Sequence, residues 1–513
     1  MINMKKILLT LVIALSQITV LAQTPAIQWQ KCLGGTSQDG ANSVHLELDG
    51  GYVVAGSSPS SDGDVTGNHG GDDAWIVKLS ATGTLIWQKC LGGTSSDIAH
   101  DIQPTSDGGY IVAGSTHSIN GDVTGNHGGV DAWIVKLDAT GVLIWQKCLG
   151  GTSYDNISSI QTTSDGGFIA VGYTESVNGD VIGNHGLSDV WVIKLSATGS
   201  VLWQKCLGGT NFEQATSIQT TTDGGYILAG HTNSINGDVT VNHGAQDAWI
   251  VKLDLTGAIV WQRSLGGSGE DYAKSIQSTT DGGYILAGNT NSNSGDVIGN
   301  HGDNDAWVIK LDAFGSIIWQ ICLGGTTGDY AQSIQPTSNG GFIVAGGTSS
   351  INGDVIGNLG GGDAWKVKLD ATGILIWQKC LGGTSYDNAK NIQLTPDGGY
   401  IMAGSSNSTD GDVTGNHGAD YWVVKLGPEL MATNDFDLQE LLIFPNPAKS
   451  ILQLQTASKL ILDKITISDL TGKIFLTQTT DIAKINVDSL ASGMYILMAN
   501  SGEHKYSSKF IKE

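Results

Sequence analysis

The chain contains very little positive charge. Its 513 residues include 26 lysines and arginines against 49 aspartates and glutamates, a formal net charge of −23, and Arg263 is its only arginine. Nucleic acids and anionic membrane surfaces are bound by clustered cations, so this composition argues against both as partners. Arginine is the usual bidentate partner of phosphate and sulfate, and its scarcity argues against a dedicated site for those groups.

Long apolar runs are absent after the first residues. Residues 1–22 carry Lys5 and Lys6, then a short apolar run, then the small residues Val20 and Ala22 at the positions that signal peptidase requires. We therefore expect residues 1–22 to be a signal peptide. We expect no transmembrane segment in the remaining chain, which predicts an exported protein.

Cysteine is scarce for an exported protein, and all six cysteines occupy the same position of a sequence repeat. Equivalent positions in neighbouring repeats should lie too far apart for the short Cα separation of a disulfide. We therefore expect buried free thiols that act as small apolar side chains. The six are Cys32, Cys90, Cys148, Cys206, Cys322 and Cys380, and Ser264 occupies the position in the remaining repeat.

Two series of tryptophans divide most of the chain into repeats of 58 residues. A fixed long period with two aromatic anchors per unit is typical of a repeat architecture. The first series is Trp29, Trp87, Trp145, Trp203, Trp261, Trp319 and Trp377. The second is Trp75, Trp133, Trp191, Trp249, Trp307, Trp365 and Trp422, of which the last comes one residue early.

Each repeat contains four strand-like runs, which are apolar on both faces and therefore typical of sheets buried between two others. In one repeat the runs are approximately 99–104, 110–115, 132–137 and 142–149. The sequences Asp107-Gly108-Gly109 and Asp138-Ala139-Thr140-Gly141 suit tight hairpin turns. The loop between these two hairpins, about 116–131, is long for a compact domain and indicates a functional role.

Stacked four-stranded antiparallel units predict a β-propeller. The Asp-Gly-Gly type of turn and the strand around Trp75 each occur seven times, which predicts seven blades in residues 23–426. The last repeat ends at Leu426 without a fourth strand, whereas the N-terminus offers one at 27–33. We expect this strand to complete the last blade, which closes the ring and leaves no open edge. An open solenoid is the alternative, but it would need no complementary ends.

After a linker at residues 427–440 the composition changes, because tryptophan disappears and glycine becomes rare. Residues 441–513 show short alternating strands, which predict a small β-sandwich. They contain Phe444-Pro445-Asn446-Pro447, Asp469-Leu470-Thr471-Gly472, Gly493-Met494-Tyr495 and a lysine-rich last strand. This segment resembles the C-terminal sorting domain of type IX secretion substrates from Bacteroidetes. The repeats resemble secreted bacterial β-propeller repeat proteins.

The resemblance implies a route and a location. The type IX secretion machinery would be a partner of the C-terminal domain, and the chain would cross the outer membrane. The sorting domain would then be cleaved, and the protein would be released or anchored at the cell surface. The repeat resemblance implies the propeller fold but no single activity.

One face of the predicted propeller gathers three acidic positions per blade, because the long loop and the connection to the next blade both lie there. The connections supply Asp39, Asp97, Asp155, Glu213, Asp271, Asp329 and Asp387. The long loops supply two aspartates each, one near the middle of the loop and one at its end. These positions account for much of the net negative charge.

The long loops are candidate calcium sites, because aspartate and asparagine offer the hard oxygen ligands that Ca²⁺ prefers. The alternative is that these residues form Asx-turns and cap loop amides. The spacing matches no established calcium loop, which favours the alternative. The candidate ligands are Asp64, Asn68 and Asp73; Asp122, Asn126 and Asp131; Asp180, Asn184 and Asp189; Asp238, Asn242 and Asp247; Asp296, Asn300 and Asp305; Asp354, Asn358 and Asp363; and Asp412, Asn416 and Asp420.

A catalytic site requires unlike groups that converge on one bond, so residues that break the repeat are the candidates. Their separation cannot be read from the sequence. They are Glu175 beside Tyr173, Glu213 beside Phe212, Arg263, Glu270 beside Asp271, and Lys366. The loop histidine, one per blade and replaced by Leu359 in one of them, cannot supply the convergent ligands that zinc requires, so we interpret it as structural.

The sequence therefore predicts a secreted or cell-surface scaffold that binds or adheres without catalysis. Seven similar loop sets could each bind a glycan or a surface protein weakly, and avidity would strengthen the contact. The candidate surface aromatics are Tyr154, Phe212, Tyr272, Tyr330 and Tyr386, at the connections between blades. The alternatives are an extracellular polysaccharide-active enzyme with carboxylates on the propeller face and a structural surface-layer component, since propellers host all three functions.

Overall fold

In the computed structural model, each 58-residue repeat folds into a four-stranded antiparallel sheet. The structure describes residues 24–429, 442–455, 462–469, 473–480, 483–501 and 504–513. The expected signal peptide, residues 1–22, and residues 430–440 of the expected linker lie outside the described residues. Thr24–Glu429 form one compact unit, and the described residues from 442 onward belong to a second.

Seven four-stranded sheets form the blades of the first unit, and their strands pair in chain order. The N-terminal strand is β1 (Ile27–Leu33). Blade 1 comprises β2 (Gly40–Leu46), β3 (Tyr52–Ser58), β4 (Asp73–Leu79) and β5 (Leu85–Leu91). Blade 2 comprises β6 (Asp97–Pro104), β7 (Tyr110–Thr116), β8 (Asp131–Leu137) and β9 (Leu143–Leu149). Blade 3 comprises β10 (Asp155–Thr162), β11 (Phe168–Thr174), β12 (Asp189–Leu195) and β13 (Val201–Leu207). Blade 4 comprises β14 (Glu213–Thr220), β15 (Tyr226–Thr232), β16 (Asp247–Leu253) and β17 (Ile259–Leu265).

The remaining blades follow the same order. Blade 5 comprises β18 (Asp271–Ser278), β19 (Tyr284–Thr290), β20 (Asp305–Leu311) and β21 (Ile317–Leu323). Blade 6 comprises β22 (Asp329–Pro336), β23 (Phe342–Thr348), β24 (Asp363–Leu369) and β25 (Leu375–Leu381). Blade 7 comprises β26 (Asp387–Leu394), β27 (Tyr400–Ser406) and β28 (Asp420–Leu426), and β1 is its fourth strand.

The ring closes as the sequence predicts. Strand β1 pairs antiparallel with β28, so that Ile27 lies opposite Leu426 and Cys32 opposite Trp422. The indole N–H of Trp422 donates a hydrogen bond of 2.8 Å to the side-chain oxygen of Gln30. The N-terminal strand therefore supplies both backbone and side-chain partners to the last blade. The seven-bladed propeller is confirmed.

Apolar side chains fill the space between neighbouring blades. Trp75 of blade 1 is fully buried in one cluster with Ile401, Ala403 and Tyr421 of blade 7. Its ring centroid lies 4.5 Å from that of Tyr421, whose hydroxyl donates a 2.9 Å hydrogen bond to the Trp75 carbonyl oxygen. Strands that are apolar on both faces are thus explained, because each sheet packs against a blade on either side.

The six cysteines lie where the sequence indicates. All are buried as free thiols, and burial raises the pKa of each, for example that of Cys90, to about 12. A thiol with so high a pKa is not a nucleophile at neutral pH. Five of them, Cys90, Cys148, Cys206, Cys322 and Cys380, pack in the apolar clusters between neighbouring blades.

The second unit consists of two small sheets. One contains β29 (Leu442–Phe444), β30 (Ile451–Gln455) and β33 (Lys484–Asn486). The other contains β31 (Lys464–Ser468), β32 (Ile474–Gln478), β34 (Gly493–Ser501) and β35 (His504–Lys512). Leu452 and Ile485 of the first sheet share one core with Ile467 and Leu497 of the second, which is a small β-sandwich. Within the described ranges, no helix could span a membrane.

Candidate functional site

The long loops and the blade-to-blade connections lie together on one face of the propeller, which we call the loop face. It comprises the seven long loops, from 59–72 in blade 1 to 407–419 in blade 7, and the seven connections, from 34–38 to 382–386. The hairpin turns lie on the opposite face, because strands in each blade alternate in direction. The loop face therefore contains all the predicted calcium ligands.

The acidic residues of the connections are buried and hold the loops in place. Asp97 accepts hydrogen bonds from the N–H of Gly93 at 2.8 Å, from the hydroxyl of Ser118 at 2.7 Å and from the hydroxyl of Thr116. Glu213 occupies the same position in blade 4, where it accepts a 2.7 Å bond from the N–H of Gly209. Glu213, a catalytic candidate in the sequence, is therefore a structural anchor.

The asparagines of the long loops cap the loops. The side-chain amide of Asn126 donates to the carbonyl oxygen of Thr116, and its oxygen accepts a 2.8 Å bond from the N–H of Gly128. The equivalent asparagines make the same two bonds in all seven blades. Asp122 accepts a 3.3 Å bond from the N–H of Gly92. These are the amide-capping contacts of the alternative interpretation.

The aspartate that begins the third strand of each blade is fully buried. Asp131 accepts the N–H of His127 at 3.0 Å and pairs with its ring Nδ1 at 2.7 Å. Burial raises the pKa of Asp131 despite this pair. In blade 6, where Leu359 replaces the histidine, burial raises the pKa of Asp363 further, to about 6. The loop histidine is therefore a structural partner of this aspartate.

The calcium hypothesis stays a prediction. Among the described residues, no group of three or more histidine, cysteine, aspartate or glutamate side chains is arranged to hold a metal ion. Most oxygens of the candidate ligands already accept hydrogen bonds from loop amides or histidines. Among the buried oxygens of these candidates, the exception is the Oδ1 of the third-strand aspartate, which has no hydrogen-bond partner in any of the seven blades.

The loop face also exposes apolar side chains at one repeated position. Ile119, Val177, Ile235 and Ile351 are between 74 and 81% exposed near the tips of four long loops. Of the predicted surface aromatics, Tyr154, Phe212 and Tyr386 are exposed on the connections, whereas Tyr330 is exposed on strand β22. The fifth, Tyr272, is half-buried, and its ring contacts Lys274.

The other catalytic candidates do not converge. Arg263 lies on the outer strand β17, where its guanidinium donates to the carbonyl oxygen of Phe314 and lies over the ring of Trp261. Glu175 is exposed on a long loop of blade 3. Glu270 accepts a 3.2 Å bond from the hydroxyl of Tyr272, and Lys366 is fully buried in β24. No shared site contains these residues.

The first strands of all seven blades surround a central channel that sequence reasoning did not anticipate. The channel encloses a cavity of about 450 Å³ and is lined almost entirely by polar side chains. A ring of glutamines lies at one level, with His45 in the place of the seventh. This glutamine level consists of Gln103, Gln161, Gln219, Gln277, Gln335 and Gln393.

Each inner strand carries a β-bulge at the same place. In blade 2, Ala99 pairs with Gly114 and Asp101 with the adjacent Ala113, so that His100 has no partner in β7. A bulge of this kind redirects a side chain and is common next to functional sites. The seven bulge residues all line the channel, and they are Asn42, His100, Ser158, Thr216, Lys274, Gln332 and Lys390.

The residue that follows the bulge connects neighbouring inner strands in blades 1 to 6. The hydroxyl oxygen of Ser217 accepts a 3.2 Å bond from the N–H of Ile276 in the next blade. Asp101 replaces this serine in blade 2 and accepts hydrogen bonds from the hydroxyls of Ser43 at 2.9 Å and Ser159 at 3.2 Å. Burial raises the pKa of Asp101 to about 6. This level of the channel therefore stabilises the ring.

A signal for the channel was present in the repeats. Neighbouring inner-strand positions hardly change between blades, whereas the bulge position carries six different polar residue types in seven blades. When near-identical repeats vary at one position only, the side chains at that position differ in function from blade to blade, which indicates a site. The residues that the sequence singled out for breaking the repeat, Glu175, Glu213, Arg263, Glu270 and Lys366, include none of the bulge positions.

Comparison with known proteins identifies the C-terminal unit. Residues 442–513 match the family described as the secretion system C-terminal sorting domain. A stretch of 236 residues, 41% of the chain, is 26% identical to the regulatory protein FlaEY of Caulobacter vibrioides, of which it covers 24%. The chain thus spans about a quarter of the length of this relative.

Two solved structures illustrate the structural matches. The WD40 domain of Neurospora crassa Pan2 matches with a TM-score of 0.44 and 11% identity over 78% of this chain and 95% of that one. PorZ of Porphyromonas gingivalis, a surface component of the type IX secretion system, matches with a TM-score of 0.40 and 11% identity over 94% of this chain and 60% of that one. With the match of residues 442–513 to the sorting-domain family and seven four-stranded blades, the chain is a β-propeller protein that the type IX system exports across the outer membrane to the cell surface or the extracellular space.

Proposed function

We propose that this protein is a non-enzymatic binding or adhesion scaffold that contacts a surface protein or glycan with its loop face. The observation that carries the proposal is the repeated exposure of an apolar side chain on four long loops, at Ile119, Val177, Ile235 and Ile351. Single exposed apolar residues are common on soluble proteins, but a set repeated on one face is typical of an interaction surface.

The chemistry of the loop face favours a partner with both apolar and basic groups. The exposed isoleucines and valine lie among half-buried and exposed loop aspartates such as Asp122 and Asp180. Because four blades present the same apolar side chain, one extended or repetitive partner could contact several loops at once. Avidity then raises the affinity of a weak single contact by orders of magnitude.

The alternative of an enzyme on this face receives less support. The buried carboxylates at the blade connections, for example Asp97 and Glu213, accept several hydrogen bonds from loop amides and hydroxyls. A carboxylate that is fully engaged in this way has no free oxygen to act as a base or nucleophile. The residues that break the repeat lie on different blades and at different depths.

The test compares the full mature chain with a variant of the loop tips. The changes Ile119→Asn, Val177→Asn, Ile235→Asn and Ile351→Asn copy Asn293, which occupies the same position in blade 5. The control changes Ile86, Ile144, Leu202 and Ile318 to glutamine, the residue that β1 has at this position as Gln28. Those four side chains are also exposed, but they lie on outer strands.

Both variants and the unchanged chain are applied to immobilised polysaccharides and to bacterial and host surface proteins, with calcium and with chelator. We expect retention without released product. The loop-tip variant should lose at least about tenfold in affinity, because four contacts are removed together. Released product, equal loss in the control, or self-association as the only binding observed would contradict the proposal.

A further inference from the structure

We propose that the central channel binds a small polyhydroxylated carboxylate, of the class of acidic monosaccharides and disaccharides, at the level of the seven β-bulges. This site is separate from the loop face and does not depend on the proposed adhesion. It is built from the bulge residues, which the repeat positions at one level of the channel.

The bulges make room for this site in the same way in every blade. Because the bulge residue has no partner in the second strand, its side chain is added to the channel wall without disturbing the Ala and Ser positions beside it. The serine level then holds adjacent inner strands together, as between Ser275 and the N–H of Ile334 at 3.3 Å. Asn42 and Thr216 donate to carbonyl oxygens of the next blade. The ammonium groups of Lys274 and Lys390 form no hydrogen bond with the described residues, although Lys274 lies over the ring of Tyr272, and they are left available for a ligand.

The bulge residues are distributed unevenly around the ring. Long basic or amide side chains occupy blades 5, 6, 7, 1 and 2, in the order Lys274, Gln332, Lys390, Asn42 and His100. Blades 3 and 4 carry the short hydroxyl residues Ser158 and Thr216. The channel therefore carries its lysines on one side, and short hydroxyl side chains leave space on the other side. The result is an asymmetric polar pocket.

The positive charge at this level lacks a counter-ion within the described residues. Neither Lys274 nor Lys390 forms an ion pair with any described carboxylate. Asp101 is the only acidic residue of the channel wall, and four donors already occupy its oxygens. A bound anion would neutralise the uncompensated positive charge of Lys274 and Lys390.

The pKa shifts agree with this geometry. Water reaches Lys274 through the channel, but protein surrounds it, and desolvation lowers its pKa, as does the nearby charge of Lys390. Desolvation also lowers the pKa of Lys390, and lowers that of His100 to about 4. A ligand carboxylate would offset the cost of holding the two ammonium groups close together.

The remaining wall selects for hydroxyl groups. Primary amides both donate and accept hydrogen bonds, and the glutamine level presents six of them next to the bulge level. A cavity of about 450 Å³ is within the range of small-molecule sites. The only arginine lies on an outer strand. The channel wall therefore lacks the bidentate guanidinium hydrogen bonds that favour phosphate and sulfate. A ligand that carries both a carboxylate and hydroxyl groups fits this combination of lysines and amides best.

The test measures binding of galacturonate and glucuronate to the full mature chain by isothermal titration calorimetry. Galactose and glucose are the neutral controls, and acetate and inorganic phosphate are the anion controls. The variant Lys274→Gln with Lys390→Gln copies Gln332 at the same bulge, so it keeps the backbone geometry. Lys147→Gln with Lys205→Gln, on outer strands, removes the same charge elsewhere.

We expect saturable binding of a uronate that is at least about tenfold tighter than binding of its neutral analogue. The bulge variant should lose this difference, since each charged hydrogen bond removed weakens binding by about tenfold, and the outer-strand variant should keep it. The loop-tip variant should also keep it, which separates this proposal from the adhesion proposal. No saturable uronate binding, equal affinity for acetate or phosphate, or an unaffected bulge variant would overturn the proposal.

Discussion

At the scale of single residues, Lys366 shows how a position that breaks the repeat can be buried rather than functional. The other blades have Ile76, Ile134, Val192, Ile250, Val308 or Val423 at this position, all fully buried. Lys366 is also fully buried, and its ammonium nitrogen has no hydrogen-bond partner. Desolvation lowers the pKa of Lys366 to about 7.

We predict that Lys366→Ile stabilises the propeller by roughly 3 kcal/mol at pH 7, because an unpaired buried amine is replaced by the apolar residue of the other blades. The pH dependence should change as well. In the wild-type protein the unfolded chain keeps an ordinary lysine pKa near 10.4, so it binds more protons than the folded chain between about pH 7 and 10. This residue therefore makes wild-type stability rise over that window.

The measurement is urea unfolding followed by tryptophan fluorescence at pH 7 and pH 9.5. Lys366→Ile should unfold at higher urea than the wild type at pH 7, and the difference should shrink at pH 9.5. Lys366→Met, which is neutral but unbranched, is the control for side-chain shape. A difference that does not depend on pH would show that packing, rather than charge burial, decides the stability of this position.

The tryptophans illustrate what residue identity could predict. The second tryptophan series marked strands that are buried between blades, and Trp75 packs against blade 7. The first series lies on the outer strands, where Trp87 is half-buried. Lys366 broke the same pattern, and the sequence suggested catalysis. The sequence alone could not distinguish a catalytic lysine from a buried structural one, because burial depends on which residues of the neighbouring blade contact the side chain.

At the scale of elements, an ion pair joins the hairpin between the first and second strands to the third strand in six of the seven blades, and we call this pair a clamp. Lys136 donates 3.0 Å bonds to a carboxylate oxygen of Asp107 and to the carbonyl oxygen of Leu137. The hydroxyl of Thr105 and then the Lys136 ammonium lower the pKa of Asp107 to about 2. Blade 6 has Asn339 in place of the aspartate, and its lysine is Lys368.

We predict that these clamps contribute to the acid limb of the stability curve. The folded pKa of Asp107 lies below the unfolded value near 3.9, so its contribution is complete above about pH 4 and is lost as the pH falls towards 2. Asp107→Asn, Asp165→Asn and Asp223→Asn together should cost roughly 0.5 kcal/mol per turn at pH 7, because each carboxylate is half-exposed. They should also flatten the loss of stability between pH 4 and pH 2.

Thermal unfolding from pH 2 to pH 7 measures this effect. The reciprocal change Asn339→Asp is the matched control, since it installs the missing clamp opposite Lys368. It should steepen the acid limb where the triple variant flattens it. Parallel curves for all three proteins would show that the clamps do not determine acid stability.

The hairpins and the channel differ in how far the sequence could predict them. The Asp-Gly-Gly turns have a residue signature, because Gly108 adopts a φ of 81° that favours glycine. The bulge has none, since Asn42, His100 and Lys274 share only polarity, and a bulge is set by the pairing of two strands. Variation between repeats marks the bulge position in the sequence, but only the register of the inner strands shows that these residues line one channel.

At the scale of the whole molecule, the acidic residues of the loop face show the limits of composition. The sequence grouped them on one face, as the structure does. It left open whether they bind calcium or cap the loops, because both uses require the same oxygens. The contacts of Asn126 and Asp97 show the capping use, and calcium binding is to be tested with the chelator in the binding experiment.

Ring closure is the whole-molecule feature that the sequence predicted from what blade 7 lacked. Strand β1 buries Leu33 in the core that the first and last blades share, and it pairs along β28. Without it, β28 would present an unpaired edge, which favours association with other chains. The closure therefore determines both the stability and the solubility of the propeller.

We predict that deletion of residues 24–33 lowers the stability of the propeller by roughly 5 kcal/mol, from the lost apolar burial and the lost strand pairing. It should also cause association that increases with protein concentration. The matched control is a rearranged chain that lacks residues 24–33 at its N-terminal end. In it, Leu426 is followed by a copy of the turn 138–141, then by residues 27–33, and then by the rest of the chain. This arrangement keeps every strand and gives blade 7 the connectivity of the other blades.

Urea unfolding and light scattering distinguish the outcomes. The rearranged chain should regain the urea midpoint of the wild type and stay monomeric, because the ring needs the strand rather than its position in the sequence. A synthetic peptide of residues 24–36 should likewise reduce the association of the deleted chain, whereas a scrambled peptide should not. If the deleted chain unfolds at the wild-type urea concentration, β1 does not close the ring in solution. An open ring would be inconsistent with the core that the first and last blades share around Trp75 and Tyr421.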